Sequence, residues 1–281
     1  IISILFRQTN AVWVCFAALD SVVSYYENGA LLRRVDLNAH VYRPVYLQHV
    51  PSAIYYFVIA VFTNIPLLIA RLWPLATVVV AFIVSVYING GVALGDKENH
   101  VLALHFPQLC YFLGSTFMLQ ASWSLGLRHK LPTLRVSFRE VAWYCLGFAV
   151  AASLAAVAVS KFTIVHPFLL ADNRHYTFYI WRKLLNGLGG NGRYVAIPVY
   201  VVGLWVMQEQ LSDSRVGMSR LRQLLLAGAI AVVLVPSPLM EFRYYITPFF
   251  IVYSYCIPGR AFGSGALQLI QSLMINIAVL A

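Results

Sequence analysis

Long apolar runs alternate with short polar segments along this chain, and the alternation predicts a bundle of membrane-spanning α-helices. A helix rises about 1.5 Å per residue, so about 20 apolar residues cross the roughly 30 Å hydrocarbon core of a bilayer. Several runs fall short of this length and need flanking residues in order to span. The eight runs are residues 11–25, 63–92, 101–122, 141–160, 194–207, 221–235, 244–257 and 266–281.

The second run is longer than one span requires, and it contains Arg71 and Pro74. A separate helix around residues 52–62 is expected to precede it at the membrane interface. If residues 55–69 cross the membrane independently, the sidedness of every upstream segment is reversed. Both arrangements fit the sequence.

The composition is that of an integral membrane protein. Of the 281 residues 60% are hydrophobic and 11% are charged, with a mean hydropathy of +0.75, whereas soluble domains are about 45–50% apolar and about 25% charged. A net charge of +10 is compatible with nucleic-acid binding, but the basic residues lie between apolar runs rather than along one stripe. We therefore expect membrane lipid around the chain and no nucleic-acid partner. The four cysteines lie in apolar stretches without metal-ligand spacing, so we expect them to pack in the core.

Basic clusters between the runs predict which loops face the cytosol. The segment 128–139 carries four Lys or Arg residues and no acid, and further basic clusters lie at residues 33–43 and 215–222. Eight crossings place all three clusters on the cytosolic side. The opposite side then receives the polar stretches 7–10, 95–100, 166–183 and 236–243. We expect the functional site on that side, because these stretches carry the side chains most capable of chemistry.

The stretch 166–183 is the most polar and most aromatic part of the chain. Asp172 suits the N-cap of a helix. On that helix His175, Tyr179 and Arg182 follow at positions i, i+4 and i+7, so they share one face. An imidazole, a phenol and a guanidinium on one face can hold a phosphate. The alternative is a helix at the membrane–water interface, anchored by its aromatic and basic residues.

Two other polar stretches on this side suit an anionic or sugar ligand. Arg7 and Asn10 stand at the start of a spanning helix, where unpaired backbone amides favour an anion; alternatively they only cap the helix. Glu241 and Arg243 point the same way in an extended backbone, so Glu241 could hold a hydroxyl while Arg243 meets a phosphate. The alternative for this pair is an ion pair at the membrane boundary.

Other polar residues within the runs favour structural roles. His105 and Gln108 lie one turn apart and favour hydrogen bonds between helices. Asp20 lies inside the first run, where an ionisable residue is a functional candidate, but it is near the end that reaches the interface. Four glycines, Gly187, Gly189, Gly190 and Gly192, are expected to loosen the link between the 166–183 helix and the next span.

The absence of several known catalytic motifs argues against the classes of protein that need them. The chain contains no G-x-S-x-G, no P-loop and no H-E-x-x-H, so hydrolases, nucleotide-driven pumps and zinc proteases find no support. A transporter or a non-catalytic membrane subunit stays open as an alternative, although the charges lie mostly at helix ends and no paired halves are visible. The chain begins with neither Met nor a signal-peptide pattern, so we expect it to be the C-terminal part of a longer protein. Residues 1–281 are expected to form a single transmembrane domain, with residues 162–193 as a lumenal loop and interfacial helix.

Four stretches carry a resemblance to a known family: residues 6–10, 104–109, 169–182 and 239–244. They resemble the dolichyl-phosphate-glucose-dependent α-1,2-glucosyltransferase family of the endoplasmic reticulum, over residues 6 to about 258. The most specific motif is the run Leu-Ala-Asp-Asn-Arg-His-Tyr-Thr-Phe-Tyr at 170–179. The sequence Glu-Phe-Arg at 241–243 is also similar to the Glu-x-Arg motif of related lumenal mannosyltransferases.

The resemblance implies an all-α, polytopic membrane protein of the GT-C glycosyltransferase fold, with its active site on the lumenal side of the endoplasmic reticulum membrane. It implies that glucose moves from dolichyl-phosphate glucose onto a diglucosylated dolichyl-pyrophosphate oligosaccharide, the last step in building the precursor for protein N-glycosylation. No cofactor and no metal are expected, because a lipid-phosphate sugar lacks the pyrophosphate that nucleotide-sugar enzymes neutralise with a metal ion.

The resemblance also implies roles for individual residues. Those expected at the donor phosphate are Arg174, His175, Arg182 and Arg243. Those expected at sugar hydroxyls are Asp172, Tyr176 and Glu241, and further substrate-binding candidates are Tyr179, Arg7 and Asn10. The catalytic base is expected in an acidic motif of the family that lies N-terminal to this sequence, with Asp172 as the fallback.

Overall fold

A computed structural model describes residues 8–28, 47–92, 103–119, 138–171, 176–212 and 218–256. Every regular element within these ranges is helical, which confirms the all-helical class. The longer helices are α1 (Asn10–Glu27), α2 (Val50–Thr63), α3 (Ile65–Asn89), α4 (Pro107–Leu119), α5 (Phe138–Lys161), α9 (Ile197–Ser212), α10 (Arg220–Leu234) and α11 (Arg243–Cys256). The short helices are α6 (Pro167–Ala171), α7 (Tyr176–Tyr179) and α8 (Gly192–Val195), and a π-helix covers Ile180–Leu185. Single 3-10 turns lie at Leu47–His49 and Leu188–Gly190.

Each predicted apolar run within the described residues coincides with a helix, whereas the run 266–281 lies outside them. The separate helix expected before the long second run is α2. Asn64 separates α2 from α3. Its backbone has φ −120° and ψ 20°, and its side-chain amide donates to the Ala60 carbonyl at 2.7 Å. Pro66 in the first turn of α3 has no N–H with which to continue α2. Pro74, in contrast, lies inside α3 without ending it.

Helices α3 and α5 have the length and the apolar composition of membrane-spanning helices. Among the described residues, Ile65–Asn89 and Val141–Lys161 are long and apolar enough to cross a bilayer, and only 6% of the most apolar window of each is buried. A core helix of a soluble protein would bury its apolar side chains instead. The exposed apolar residues, including Tyr87 and Ile88 on α3, therefore suit contact with lipid. The structure supports a helical membrane protein, and the number of crossings stays a prediction.

The chain divides into two compact units. Unit 1 comprises residues 1–101 and 217–233, and so contains α1, α2, α3 and nearly all of α10. Helix α1 packs against α2 and α3, and the Tyr26 hydroxyl of α1 donates to the Ala53 carbonyl of α2 at 3.3 Å. The buried apolar cluster of this unit consists of Val22, Val23, Tyr26, Ala60, Leu68 and Leu221.

Arg222 on α10 pairs with the polar side chains of α1. Its Nε atom lies 3.0 Å from Glu27 and its Nη1 atom 3.7 Å from Asp20, and the guanidinium also donates to Ser24. Ser219 adds a hydrogen bond to Glu27. Asp20, the ionisable residue of the first apolar run, therefore has a basic partner within its own unit. This pairing favours a structural role for Asp20 over a role in binding substrate.

Unit 2 comprises residues 102–216 and 234–281, and within it α9 packs against α4, α5 and α11. The backbones of α9 and α4 approach each other closely at Gly203. A Cβ atom there would lie 2.5 Å from the Leu113 carbonyl oxygen and 3.2 Å from the Phe117 Cβ atom. Small residues let helices approach this closely in a membrane. Gly203 therefore sets the spacing of the α4–α9 pair.

We expect Gly203→Ala to destabilise the full-length protein by about 1–3 kcal/mol, because the added methyl group must push α9 away from α4. Gly147→Ala on α5 is a matched control, since a Cβ atom at Gly147 meets nothing within 4 Å. That change is expected to be neutral or stabilising by up to about 1 kcal/mol, because alanine favours a helix. Thermal unfolding in detergent measures both variants, and equal midpoints would contradict the close packing at Gly203.

Candidate functional site

Two stretches that are distant in sequence, residues 103–108 and 235–245, are hydrogen-bonded to each other in unit 2. The His105 amide donates to the Val235 carbonyl at 2.9 Å, and the Ala103 amide donates to the Pro236 carbonyl at 3.2 Å. We call these two bonded stretches the latch. It joins the residues that lead into α4 to the residues that lead into α11.

Side chains at the start of α4 complete the latch. Gln108 is fully buried, its Nε2 donates to the Leu239 carbonyl at 2.7 Å, and its Oε1 accepts from the Tyr245 hydroxyl. The Nδ1 atom of His105 lies 3.4 Å from the Ser237 carbonyl oxygen. The prediction of hydrogen bonds between helices is therefore confirmed for Gln108, which links α4 to Tyr245 of α11, whereas His105 lies before α4 and bonds the loop residue Ser237.

His105 lies before the first residue of α4 and is only 1% exposed. Because a carbonyl only accepts, Nδ1 must carry the proton in the bond to Ser237. His105 thus acts as a buried donor in the latch.

The latch positions Glu241 and Arg243, two of the predicted substrate-binding residues. Glu241 lies in the loop before α11, Arg243 is the first residue of α11, and their side chains form an ion pair. The Glu241 side chain is 27% exposed and that of Arg243 is 54% exposed, so the pair reaches the surface of unit 2. The guanidinium also lies 5.5 Å from the centroid of the Tyr244 ring. The ion pair, one of the two alternatives from the sequence, is present, and the ligand roles of both residues stay predictions.

The helix expected to run from Asp172 through Arg182 differs in the structure. Among the described residues of this stretch, α-helical geometry covers Tyr176–Tyr179, and Ile180–Leu185 continue as a π-helix. A π-helix closes i→i+5 hydrogen bonds and has a wider turn than an α-helix. The turn therefore rotates Arg182 away from the position relative to Tyr179 that α-helical spacing predicts.

Cations on the exposed side of the π-helix lie over aromatic rings of the preceding turn. The Arg182 guanidinium is 5.8 Å from the Phe178 ring centroid, and the Lys183 ammonium is 5.3 Å from the Tyr179 ring centroid. Cation–π contacts of this kind restrain the long basic side chains. This arrangement suits both an anion-binding face and an interfacial anchor, so these two alternatives from the sequence stay open.

The glycines after the π-helix form a compact turn, and the expectation that they loosen the link to the next span stays a prediction. A Cβ atom at Gly192 would collide with the Leu184 carbonyl oxygen, and one at Gly187 would collide with that of Lys183. The Gly192 amide donates to the Gly187 carbonyl at 3.0 Å. Gly189 has φ +66°, a conformation that glycine adopts without strain. Glycine is needed here for close approach and turn geometry.

An aromatic contact joins the start of the loop 162–193 to the latch. The Phe106 ring packs edge-on against Phe162, with 4.9 Å between centroids. At the end of the loop, Arg193 lies within electrostatic range of the Tyr111 hydroxyl, and the Tyr111 ring lies 6.1 Å from the His105 ring. Arg193 was missed in the sequence, because a single arginine after a run of glycines forms no spacing pattern.

The family model for the DIE2/ALG10 family matches residues 1–254 of the chain. The chain belongs to the DIE2/ALG10 family. The matched range contains the latch, the π-helix, Arg193 and every predicted site residue. No solved structure matches the chain.

Curated relatives of this DIE2/ALG10 chain include a protein of Debaryomyces hansenii named Dol-P-Glc:Glc(2)Man(9)GlcNAc(2)-PP-Dol alpha-1,2-glucosyltransferase. It is 32% identical over 286 residues, which cover 99% of this chain and 57% of that relative. Proteins of the same name from Arabidopsis thaliana and Homo sapiens are each 31% identical, over 99% and 90% of this chain and 61% and 52% of their own lengths. The chain therefore spans about half to three fifths of the length of these relatives.

Other predicted site residues of the DIE2/ALG10 chain are described only in part. Asn10 is the first residue of α1 in unit 1, where the neighbouring Thr9 side chain makes no capping hydrogen bond. Tyr176 is described only as the first residue of α7. Lying outside the described residues are Arg7, Asp172, Arg174 and His175. The roles of all six stay predictions.

Metal and thiol chemistry receive little support from the described residues. Within that part of the chain, no three His, Cys, Asp or Glu side chains are grouped so that they could hold a metal ion. Cys15, Cys110 and Cys145 are free thiols; Cys110 is buried, as expected for a packing residue, whereas Cys15 is half-buried and Cys145 is exposed. The expectation of a metal-independent reaction stays a prediction.

Proposed function

We propose that this chain is part of a membrane glucosyltransferase that moves glucose from dolichyl-phosphate glucose onto a diglucosylated dolichyl-pyrophosphate oligosaccharide in α-1,2 linkage. The names of the family relatives support the proposal. The structural observation that carries it is the latch. Through Gln108 and Leu239, 131 positions apart, the latch joins two of the stretches that resemble the family and holds Glu241 and Arg243 at the surface of unit 2.

The proposal includes a GT-C-type bundle of eight crossings in the endoplasmic reticulum membrane, with the site facing the lumen. Helices at the predicted runs within the described residues, and the exposed apolar sides of α3 and α5, support several crossings. The basic clusters between the runs support the orientation. The latch and the loop 162–193 then belong to the lumenal end.

The proposed reaction is a displacement at the anomeric carbon of the donor glucose. A 2-hydroxyl oxygen of the acceptor glucose attacks this carbon, and a carboxylate base takes the hydroxyl proton. The bond from the anomeric carbon to the phosphate oxygen breaks, and its electron pair stays on the departing dolichyl phosphate. Attack from the face opposite the phosphate inverts the anomeric configuration from β to α. Asp172 is the fallback candidate for the base within this chain.

Cations near the departing phosphate would lower the barrier, because negative charge develops on the phosphate oxygens in the transition state. We propose that Arg174, His175 and Arg182 supply this charge together with Arg243. A guanidinium has five N–H donors, so Arg243 can pair with Glu241 and still donate to a phosphate. Glu241, Asp172 and Tyr176 would accept or donate hydrogen bonds at sugar hydroxyls, and Tyr179, Arg7 and Asn10 complete the proposed substrate contacts.

The proposal predicts that Arg174→Ala in the full-length parent abolishes measurable glucose transfer while leaving the protein folded, because the departing phosphate loses a charged donor. Arg128→Ala, in the loop assigned to the cytosol, is the control and is expected to matter little. Transfer is measured with dolichyl-phosphate glucose and the diglucosylated lipid-linked acceptor. Near-normal activity in both variants would contradict the assignment of the phosphate site to residues 172–182.

A further inference from the structure

Arg193 occupies a position that the surrounding backbone fixes. It follows Gly192 at the start of α8, and Gly192 is pressed against the Leu184 carbonyl at the end of the π-helix. The Tyr194 amide donates to the Asn191 carbonyl at 3.0 Å, which continues the turn into α8. The backbone of Arg193 is therefore held against the end of the π-helix.

One nitrogen of the partly buried Arg193 guanidinium lacks a hydrogen-bond partner. Its Nε atom is buried and has no hydrogen-bond acceptor among the described residues, and no carboxylate in the described ranges pairs with it. The guanidinium carbon lies 5.5 Å from the centroid of the Tyr194 ring and within electrostatic range of the Tyr111 hydroxyl. Leaving a charged donor desolvated and unpaired is costly, so an acceptor that completes this group is expected.

The charge around Arg193 restricts the kind of acceptor. The loop 162–193 carries four Lys or Arg residues, Arg174, Arg182, Lys183 and Arg193, and one carboxylate, Asp172. A segment of this charge attracts an anion. A guanidinium fork matches the oxygen geometry of phosphate in particular. Arg193 lies within electrostatic range of Tyr111, and the centroid of the Tyr111 ring is 6.1 Å from that of His105 in the latch.

We infer that Arg193 binds a phosphate oxygen of a lipid-linked sugar, as a substrate-binding residue beyond those that the motifs indicated. The inference rests on the proposed function for the identity of the lipid. Two sources share this chemistry, the single phosphate of the donor and the diphosphate of the acceptor. Nε and a terminal nitrogen of Arg193 would donate to the phosphate, and this bond would satisfy the buried Nε atom.

The test uses the full-length parent in detergent with Arg193→Ala, Arg193→Lys and the control Lys161→Ala. Lys161 is an exposed cation near the same loop that has no part in the proposed site. We expect Arg193→Ala to raise one KM by roughly 10- to 100-fold, the usual effect of losing a charge-assisted hydrogen bond. Arg193→Lys keeps the positive charge but not the planar guanidinium with its paired donors, so we expect it to raise the same KM by a smaller factor. Lys161→Ala should stay within about 2-fold of wild type.

The two substrates distinguish the source of the phosphate. A rise in KM for dolichyl-phosphate glucose alone assigns Arg193 to the donor, and a rise for the acceptor alone assigns it to the diphosphate. Unchanged KM values for both substrates would overturn the inference. If Arg193→Ala fails to fold, the Arg193→Lys variant provides the test. Wild-type KM values for both substrates in that folded variant would overturn the proposed contact between the guanidinium and the phosphate.

A binding measurement separates this inference from the proposed function. Retention of radiolabelled dolichyl phosphate by the purified protein needs no catalysis. Retention that is weakened by Arg193→Ala and unaffected by Lys161→Ala would support the Arg193 site even if wild type showed no glucose transfer. If wild type transfers glucose, and Arg193→Ala retains dolichyl phosphate normally with both KM values unchanged, the inference fails while the proposed function stands.

Discussion

Replacing Gln108 with leucine is expected to lower kcat/KM for glucose transfer by the full-length protein by roughly 100-fold or more. Leucine has a similar volume but cannot donate to the Leu239 carbonyl or accept from the Tyr245 hydroxyl. Both groups would be left without their bonds in a buried site, at a cost of about 1–3 kcal/mol each. The loop that carries Glu241 and Arg243 would shift, and a displacement of about 1 Å at reacting groups costs about 100-fold in rate.

Gln210→Leu is a matched control for this experiment. Gln210 is also a fully buried glutamine of unit 2, but neither atom of its amide has a hydrogen-bond partner among the described residues. Its replacement with leucine is expected to be neutral or stabilising, because an unsatisfied buried amide is removed. Activity and thermal midpoint are measured for both variants below their unfolding temperatures. Equal effects of the two substitutions would mean that the latch does not position the site.

The second large effect is expected at the Glu241–Arg243 ion pair, and a double-mutant cycle separates its two interpretations. If both side chains bind substrate, Arg243→Ala and Glu241→Gln each lower kcat/KM by roughly 10- to 100-fold. The double variant should then lose more activity than either single variant, because each residue contacts a different part of the substrate. Transfer by the full-length protein is assayed with both substrates, and thermal unfolding of each variant reports its stability.

A purely structural ion pair predicts the opposite result. Removing one partner leaves an uncompensated charge, whereas removing both relieves it. A double variant with more activity than the single variants would therefore contradict substrate binding by Glu241 and Arg243. Both side chains reach the surface of unit 2, so neither change is expected to unfold the protein.

The sequence predicts the helices of this chain well because the hydrophobic pattern is local. Each apolar run within the described residues became a helix, and the break at Asn64 follows from Pro66, which is visible in the sequence. The buried hydrogen bonds of His105 and Gln108 were also predictable from their polar side chains in an apolar setting, although only Gln108 joins two helices. Their partners were not, because Ser237 and Leu239 are more than 130 positions away and are brought close only by packing.

Features that depend on close backbone contact were not predictable. The π-helix at Ile180–Leu185 has no sequence signature that separates it from an α-helix, so the position of Arg182 was expected from the wrong spacing. The role of Gly192 depends on how closely the Leu184 carbonyl approaches it, a tertiary contact that the sequence does not encode locally. Arg193 is a candidate because of its buried Nε atom and its neighbours, and neither can be read from the sequence.

The most direct test of the account is glucose transfer by the full-length wild-type parent. The protein is supplied with dolichyl-phosphate glucose carrying labelled glucose and with the diglucosylated lipid-linked oligosaccharide, and the product is analysed for label and linkage. The account predicts one labelled glucose in α-1,2 linkage on the oligosaccharide, with dolichyl phosphate released. No transfer from this donor to this acceptor, by protein shown to be folded, would contradict the account and favour a transporter or a non-catalytic subunit.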